Sequence, residues 1–156
     1  MDPNAPRLVR IFCDADVLIA GAASTTGASH ILLQLSELTL LQCVTSRHAV
    51  SEAERNLLVK LPAALPALRL ILKAAVRVVP APSPSMVHAL AGQAHAKDLP
   101  ILAGAVSSKA DYLTTFNVRH FRSRAAAPVI LQPGEVLSRI RDSLSRLLTE
   151  SEAKSR

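Results

Sequence analysis

The chain has no tryptophan, and aromatic residues make up only 3% of its 156 positions, so any core must be assembled from Leu, Val, Ile and Ala. It has two cysteines, Cys13 and Cys43, each inside an apolar run. Two thiols without a C-x-x-C spacing make no disulfide framework. Buried, reduced thiols in a cytoplasmic protein are the expectation. No apolar run approaches the ~18 residues that span a bilayer. The opening MDPNAPRLVRIF carries an early acid and two prolines and lacks a signal-peptide core. G-x-G-x-x-G and P-loop patterns are missing, which disfavours nucleotide cofactors. The five histidines show no H-x₃-H spacing and read as surface or packing residues rather than zinc ligands.

What is present describes one globular domain. Hydrophobic residues are 49% and charged residues 19%, outside the disordered range. The length suits a single domain with a real core. A formal net charge of +6 favours a polyanionic partner such as nucleic acid, although the basic residues are scattered.

Short β-prone runs alternate with helical ones. Strands are expected at Leu8–Cys13, Leu40–Thr45, Val76–Pro80, Asp111–Phe116 and Pro128–Pro133. Helices are expected at Thr25–Leu38, Ser46–Leu61 with Ser46 as N-cap, Ala64–Ala75, Ser85–Lys97, Asp98–Ala110 and Gly134–Leu148. The alternation argues for an α/β domain over residues 1–148, with a central parallel sheet of four to five strands between helical layers. Residues 149–156 read as a polar, frayed tail.

Within this pattern the stretch RIFCDADVLIAG, Arg10–Gly21, sets two carboxylates in the middle of apolar sequence. Buried carboxylates are costly unless they are paired, hydrogen-bonded or bound to a cation. Ligands of parallel α/β sheets bind outside the carboxyl ends of the strands. Asp14 and Asp16 follow the first strand and lie on that edge. The helix after the second strand starts there and carries Glu52 and Glu54. Asp98 opens the helix that runs back to the fourth strand, and Thr115 and Asn117 close that strand. Oxygen ligands from several segments at one rim are the usual means of holding a hard cation, Mg²⁺ or Mn²⁺. Glu52 and Glu54 point about 200° apart on a helix, so only one can face the site, and periodicity leaves the choice open.

The ordered set CDADVLIAG, SRHAVSEAERNLLVKL, AKDLPILAGAVSSKADYLTTFN and NVRHF resembles the PIN-domain family of nucleases over about Val9 to Leu137. It is most similar to the subgroup of toxin components of bacterial toxin–antitoxin pairs. The resemblance implies an α/β/α fold and metal-dependent hydrolysis of RNA phosphodiester bonds. It also implies a cognate antitoxin protein as partner, with a homodimer as a common assembly. The metal-binding acids would be Asp14, Glu52 and Asp98; it is the resemblance that favours Glu52 over Glu54. Asp16 matches a position the family often fills with a polar residue and is placed with the substrate contacts. Asn117 stands where the family has a fourth acid, and Thr115 matches a hydroxyl that holds water or phosphate. Lys97, Arg55, Arg119 and Arg47 are the basic phosphate contacts expected beside the site, and His120 lies next to it.

Two other readings are weighed beside this one. A non-catalytic module would keep the fold and the basic surface and bind RNA or a protein partner without productive metal binding; Asn117 leans that way. The D-x-D after an apolar strand is also similar to haloacid-dehalogenase-type phosphatases. Those need late acids where this chain has TFNVRHF, so the reading ranks well below.

Overall fold

The computed structural model describes residues 7–155. The start of the expected domain at residues 1–6, most of it the opening proline-bearing stretch, and the final Arg156 lie outside them.

Five short parallel strands form one sheet: β1 (Arg10–Cys13), β2 (Gln42–Ser46), β3 (Val76–Val79), β4 (Tyr112–Thr114) and β5 (Val129–Leu131), in the order β3-β2-β1-β4-β5. Among the described residues seven α-helices flank it: α1 (Ala15–Ala23), α2 (Ala28–Glu37), α3 (Arg47–Lys60), α4 (Leu65–Ala74), α5 (Pro84–Ala89), α6 (Leu99–Ser107) and α7 (Pro133–Lys154). Three-layer α/β/α is thus the observed architecture, and all five expected strands are present. Ser46 caps α3 as expected, its side chain accepting from the Ala49 amide.

The central strand explains the sheet's composition. Ile11, Phe12 and Cys13 of β1 are wholly buried because helices cover both faces, so the strand is apolar without alternation. Phe12 points at α6, where a Cβ on Gly104 would meet its ring at 2.9 Å. Its neighbour in register across the sheet, Val44, shares that face. Cys43, paired in register with Ile11, faces α2 instead, with its thiol against the Leu32 carbonyl at 3.8 Å. Gly104→Ala should therefore lower stability by about 1–3 kcal/mol through overpacking. Set against the ~1 kcal/mol of helix propensity gained, the net loss is up to about 2 kcal/mol, which the urea midpoint of unfolding reads.

Three elements depart from the sequence expectation. Helix α1 had no counterpart in it; its nine residues bury Ala15, Val17, Leu18 and Gly21 and show no polar stripe. The helix expected over Ser85–Lys97 stops at Ala89. Gly92 takes a φ of +83°, and the chain then pairs with a distant segment, Ala94 bridging antiparallel to Phe121. Helix α7 runs on to Lys154, through most of the stretch expected to fray. Among the described residues no helix is long and apolar enough to cross a membrane.

Candidate active site

The strand order changes direction at β1: the chain steps from β1 to β2 to β3 on one side and then crosses to β4 on the other. The carboxyl ends of β1 and β4 consequently flank the crevice in which such sheets bind ligands. Cys13 and Thr114 are register partners, so the next residues of each strand, Asp14 and Thr115, meet at the rim. The Asp14 amide donates to the Thr114 carbonyl at 3.1 Å, extending the ladder by one step before the chain turns into α1.

Asp14 is the N-cap of α1, its Oδ1 accepting from the Ala15 amide at 2.7 Å. Asp16 sits in the first turn of the same helix. The Thr115 hydroxyl lies 2.9 Å from Asp14 Oδ2 and 3.2 Å from Asp16 Oδ2, and a single proton serves both contacts. Asp16 Oδ2 also accepts from the Phe116 amide at 2.9 Å and from Asn117 Nδ2 at 3.2 Å. The Asn117 amide in turn donates to Thr115 Oγ1. The loop after β4 thus binds the acids after β1 from three consecutive residues.

These donors do not satisfy the pair. Among the described residues Asp16 Oδ1 is buried with no hydrogen-bond partner. Asp14 is only 6% exposed, and its carboxyl is pushed up to about 7. Burial is the largest cause and the neighbouring Asp16 charge the next, while the bonds from Ala15 and Thr115 pull the other way. Asp16 is raised as well, again chiefly by burial. The charge of Glu52 bears on both aspartates and raises each. Three carboxylates and a threonine hydroxyl, with one oxygen orphaned, are a donor set suited to a hard cation.

The remaining expected residues fall into two groups. Glu54 and Arg55 line a surface hollow with Ser51, Leu58, Leu65 and Arg69, so Glu52 is the acid of α3 whose charge reaches Asp14 and Asp16. Asp98 closes a 3₁₀ turn before α6, and its Oδ2 lies 3.0 Å from His120 Nδ1. His95, Asp98 and His120 bring their ligand atoms within 4.8 Å of one another. Lys97 on that turn, Arg119 on the 3₁₀ turn at Val118–His120 and Arg47 at the start of α3 are exposed. The sequence places His120 next to the site but gives no sign that His95 joins it, because the pair lacks a metal-ligand spacing. The one signal available was His120 beside the closing asparagine of β4.

No family model matches the chain, and no curated protein is significantly similar to it. Solved structures do resemble it. VapBC2 from Rickettsia felis, crystallised with a DNA fragment from its promoter, superposes with a TM-score of 0.60 over 80% of this chain and 98% of that one, at 14% identity. The chain has the PIN-domain fold. A structure of VapC20 from Mycobacterium tuberculosis, a toxin that cleaves the sarcin–ricin loop, gives a TM-score of 0.48 over 66% of this chain and 86% of that one, at 17% identity. Identities this low carry the fold and no more, so the chemistry rests on the rim itself.

Proposed function

We propose that this PIN fold is a metal-dependent endoribonuclease, acting in the cytoplasm as the toxin of a toxin–antitoxin pair. The observation that carries the reading is the buried pair Asp14 and Asp16, held on one hydroxyl with Asp16 Oδ1 unpartnered. A fold that places two poorly satisfied carboxylates at its ligand-binding edge is built for a cation. Asp14 and Glu52 are the proposed ligands of Mg²⁺ or Mn²⁺, with Asp98 as the third acid. Asp16 joins them through its free oxygen, beyond the substrate contact the sequence assigned to it. When bound, such an ion supplies charge neutralisation at a phosphate and water of lowered pKa.

The chain's own residues do the rest. Thr115 fixes the two aspartates relative to each other, and Asn117 orients Asp16 through its amide. The carboxylate oxygens accept and hold protons of water at the rim, so no histidine base is required. Lys97, Arg119 and Arg47 draw the RNA backbone in by its phosphates, and Arg55 extends the basic surface toward Arg69. The overall charge of +6 serves the same encounter. An antitoxin protein and a second copy of the chain are the proposed partners, with residues 1–148 as the nuclease domain.

Cleavage of a labelled single-stranded RNA by the purified chain in Mn²⁺, Mg²⁺ or EDTA tests this reading. Cutting that needs the metal and disappears in Asp14→Asn and Asp98→Asn supports it. Glu52→Gln should cost roughly 10- to 100-fold, on the scale of losing a metal-site partner. Glu54→Gln, on the Arg69 side of α3, should leave the rate unchanged. A second reading has one observation in its favour. The Asn117 amide occupies Asp16 Oδ2, where a fourth acid would have added charge for a cation. RNA binding without cutting under any metal would establish that non-catalytic module and overturn the nuclease.

A further inference from the structure

We infer that His95, Asp98 and His120 form a second cation site, of the zinc class, chemically distinct from the acidic pair of Asp14 and Asp16. The inference stands on these three side chains and the backbone that carries them. The cluster is carried by a backbone clip. The His95 amide donates to the His120 carbonyl at 2.8 Å, and the Arg122 amide donates to the Gln93 carbonyl. Ala94 and Phe121 bridge between them, with Phe121 buried as the anchor. The Asp98 amide closes back on the His95 carbonyl at 2.8 Å. Two neighbouring residues, His95 and Asp98, and the distant His120 are thereby fixed on one small frame, which keeps the entropy cost of assembling a ligand set low.

The side chains complete the picture. The imidazoles of His95 and His120 stack with centroids 4.3 Å apart and planes 23° from parallel. His120 Nδ1 is already 3.0 Å from Asp98 Oδ2, and all three ligand atoms lie within 4.8 Å. Ligands about 2.0–2.1 Å from one tetrahedral ion sit roughly 3.4 Å from each other. A bound ion would draw these atoms closer together, and His95 is the exposed member of the three. Two imidazoles and one carboxylate select Zn²⁺, Co²⁺ or Ni²⁺ over Mg²⁺. Three protein ligands also leave a position open to water or a phosphate oxygen, and His120 shares a surface hollow with Asn117 and Arg119.

The site has a consequence that rests on the nuclease reading. Asp98 cannot serve both clusters, so a zinc-class ion on the histidines withdraws the third acid and slows cutting. Binding of Zn²⁺ to the full chain, measured by calorimetry in excess Mg²⁺ and by the absorption of Co²⁺ as probe, tests the site without reference to activity. A single ion per chain is expected, weakened roughly tenfold or more in His95→Ala and in His120→Ala and retained in Asp14→Asn. Circular dichroism of the variants confirms folding, and exposed His95 is the safer of the two. Zn²⁺ binding that survives both histidine variants, or that vanishes with Asp14→Asn, overturns the site. Inhibition of Mn²⁺-supported cutting by Zn²⁺, relieved in His95→Ala, confirms the shared acid. A chain that binds Zn²⁺ through His95 and never cuts RNA keeps the site and sinks the nuclease.

Discussion

Asp14→Asn is expected to abolish RNA cleavage while making the metal-free chain more stable. The two effects have one cause. Asp14 is buried against Asp16, and burial together with that neighbour's charge lifts its carboxyl from 3.8 to about 7. Lifting the carboxyl that far bounds the penalty of ionising it at ~4 kcal/mol. An amide is isosteric, carries no charge, and its oxygen still accepts from the Ala15 amide, so the cap of α1 survives. The variant should gain about 1–4 kcal/mol in EDTA at pH 8, less whatever the amide NH₂ loses facing the Thr115 hydroxyl. On the nuclease reading its cutting rate should fall by at least roughly 10²-fold, the scale of removing one charge-stabilising group from an active site. Urea unfolding and the RNA assay on the same preparation check both. A variant that is inactive and also destabilised would locate Asp14 among ordinary structural caps. Functional sites commonly sacrifice stability in this way.

The sequence shows the sheet more clearly than the helices. Each strand is a short apolar, β-prone run, and strand ends fix where a parallel sheet presents its ligands. Asp14, Asp16, Thr115 and Asn117 could therefore be placed at one rim before any coordinates, and they meet there through hydrogen bonds. Helix α1 is hidden because it is apolar nearly all round, so amphipathic period has nothing to report. The end of α5 is hidden for a different reason. Around Gly92 the segment 90–95 still holds good helix formers, but Gly92 takes a φ of +83° and the distant pairing of Ala94 with Phe121 then holds the chain out of the helix. Helix α7 runs past Leu148 because Glu, Ala and Lys favour helix even without an apolar face.

The same contrast separates the two clusters. The acidic pair is local, two residues apart on one strand end, and the orphaned Asp16 oxygen follows from that crowding. The histidine cluster exists only because an antiparallel clip closes between distant segments, so no spacing rule exposes it. Glu52 and Glu54 fall between these cases. Helical geometry says that one of them faces the rim and cannot say which; in the structure the charge of Glu52 bears on Asp14 and Asp16, while Glu54 lines a surface hollow.

Stability without metal should fall as pH rises from about 4 to 7, and a divalent cation should abolish that fall. The sign follows from proton counts. The unfolded Asp14 titrates near its ordinary value of 3.8, the folded one near 7. Between these values the folded chain keeps a proton that the unfolded chain has released, so raising the pH favours unfolding. The advantage of the folded state is full below about 4 and lost once pH passes 7, and the raised Asp16 adds in the same direction. Asp14 alone sets the loss at up to ~4 kcal/mol. A cation that binds the ionised acids reverses the bias, because metal and proton compete for the same oxygens. At a hundredfold excess over its dissociation constant it contributes about 2.7 kcal/mol near pH 7.5. Thermal melts across pH 4–8 in EDTA and in Mn²⁺ measure both slopes, with Asp14→Asn as the variant in which the EDTA slope should flatten. Equal slopes with and without Mn²⁺ would mean that the acids at the ends of β1 and β4 repel each other without ever holding a metal.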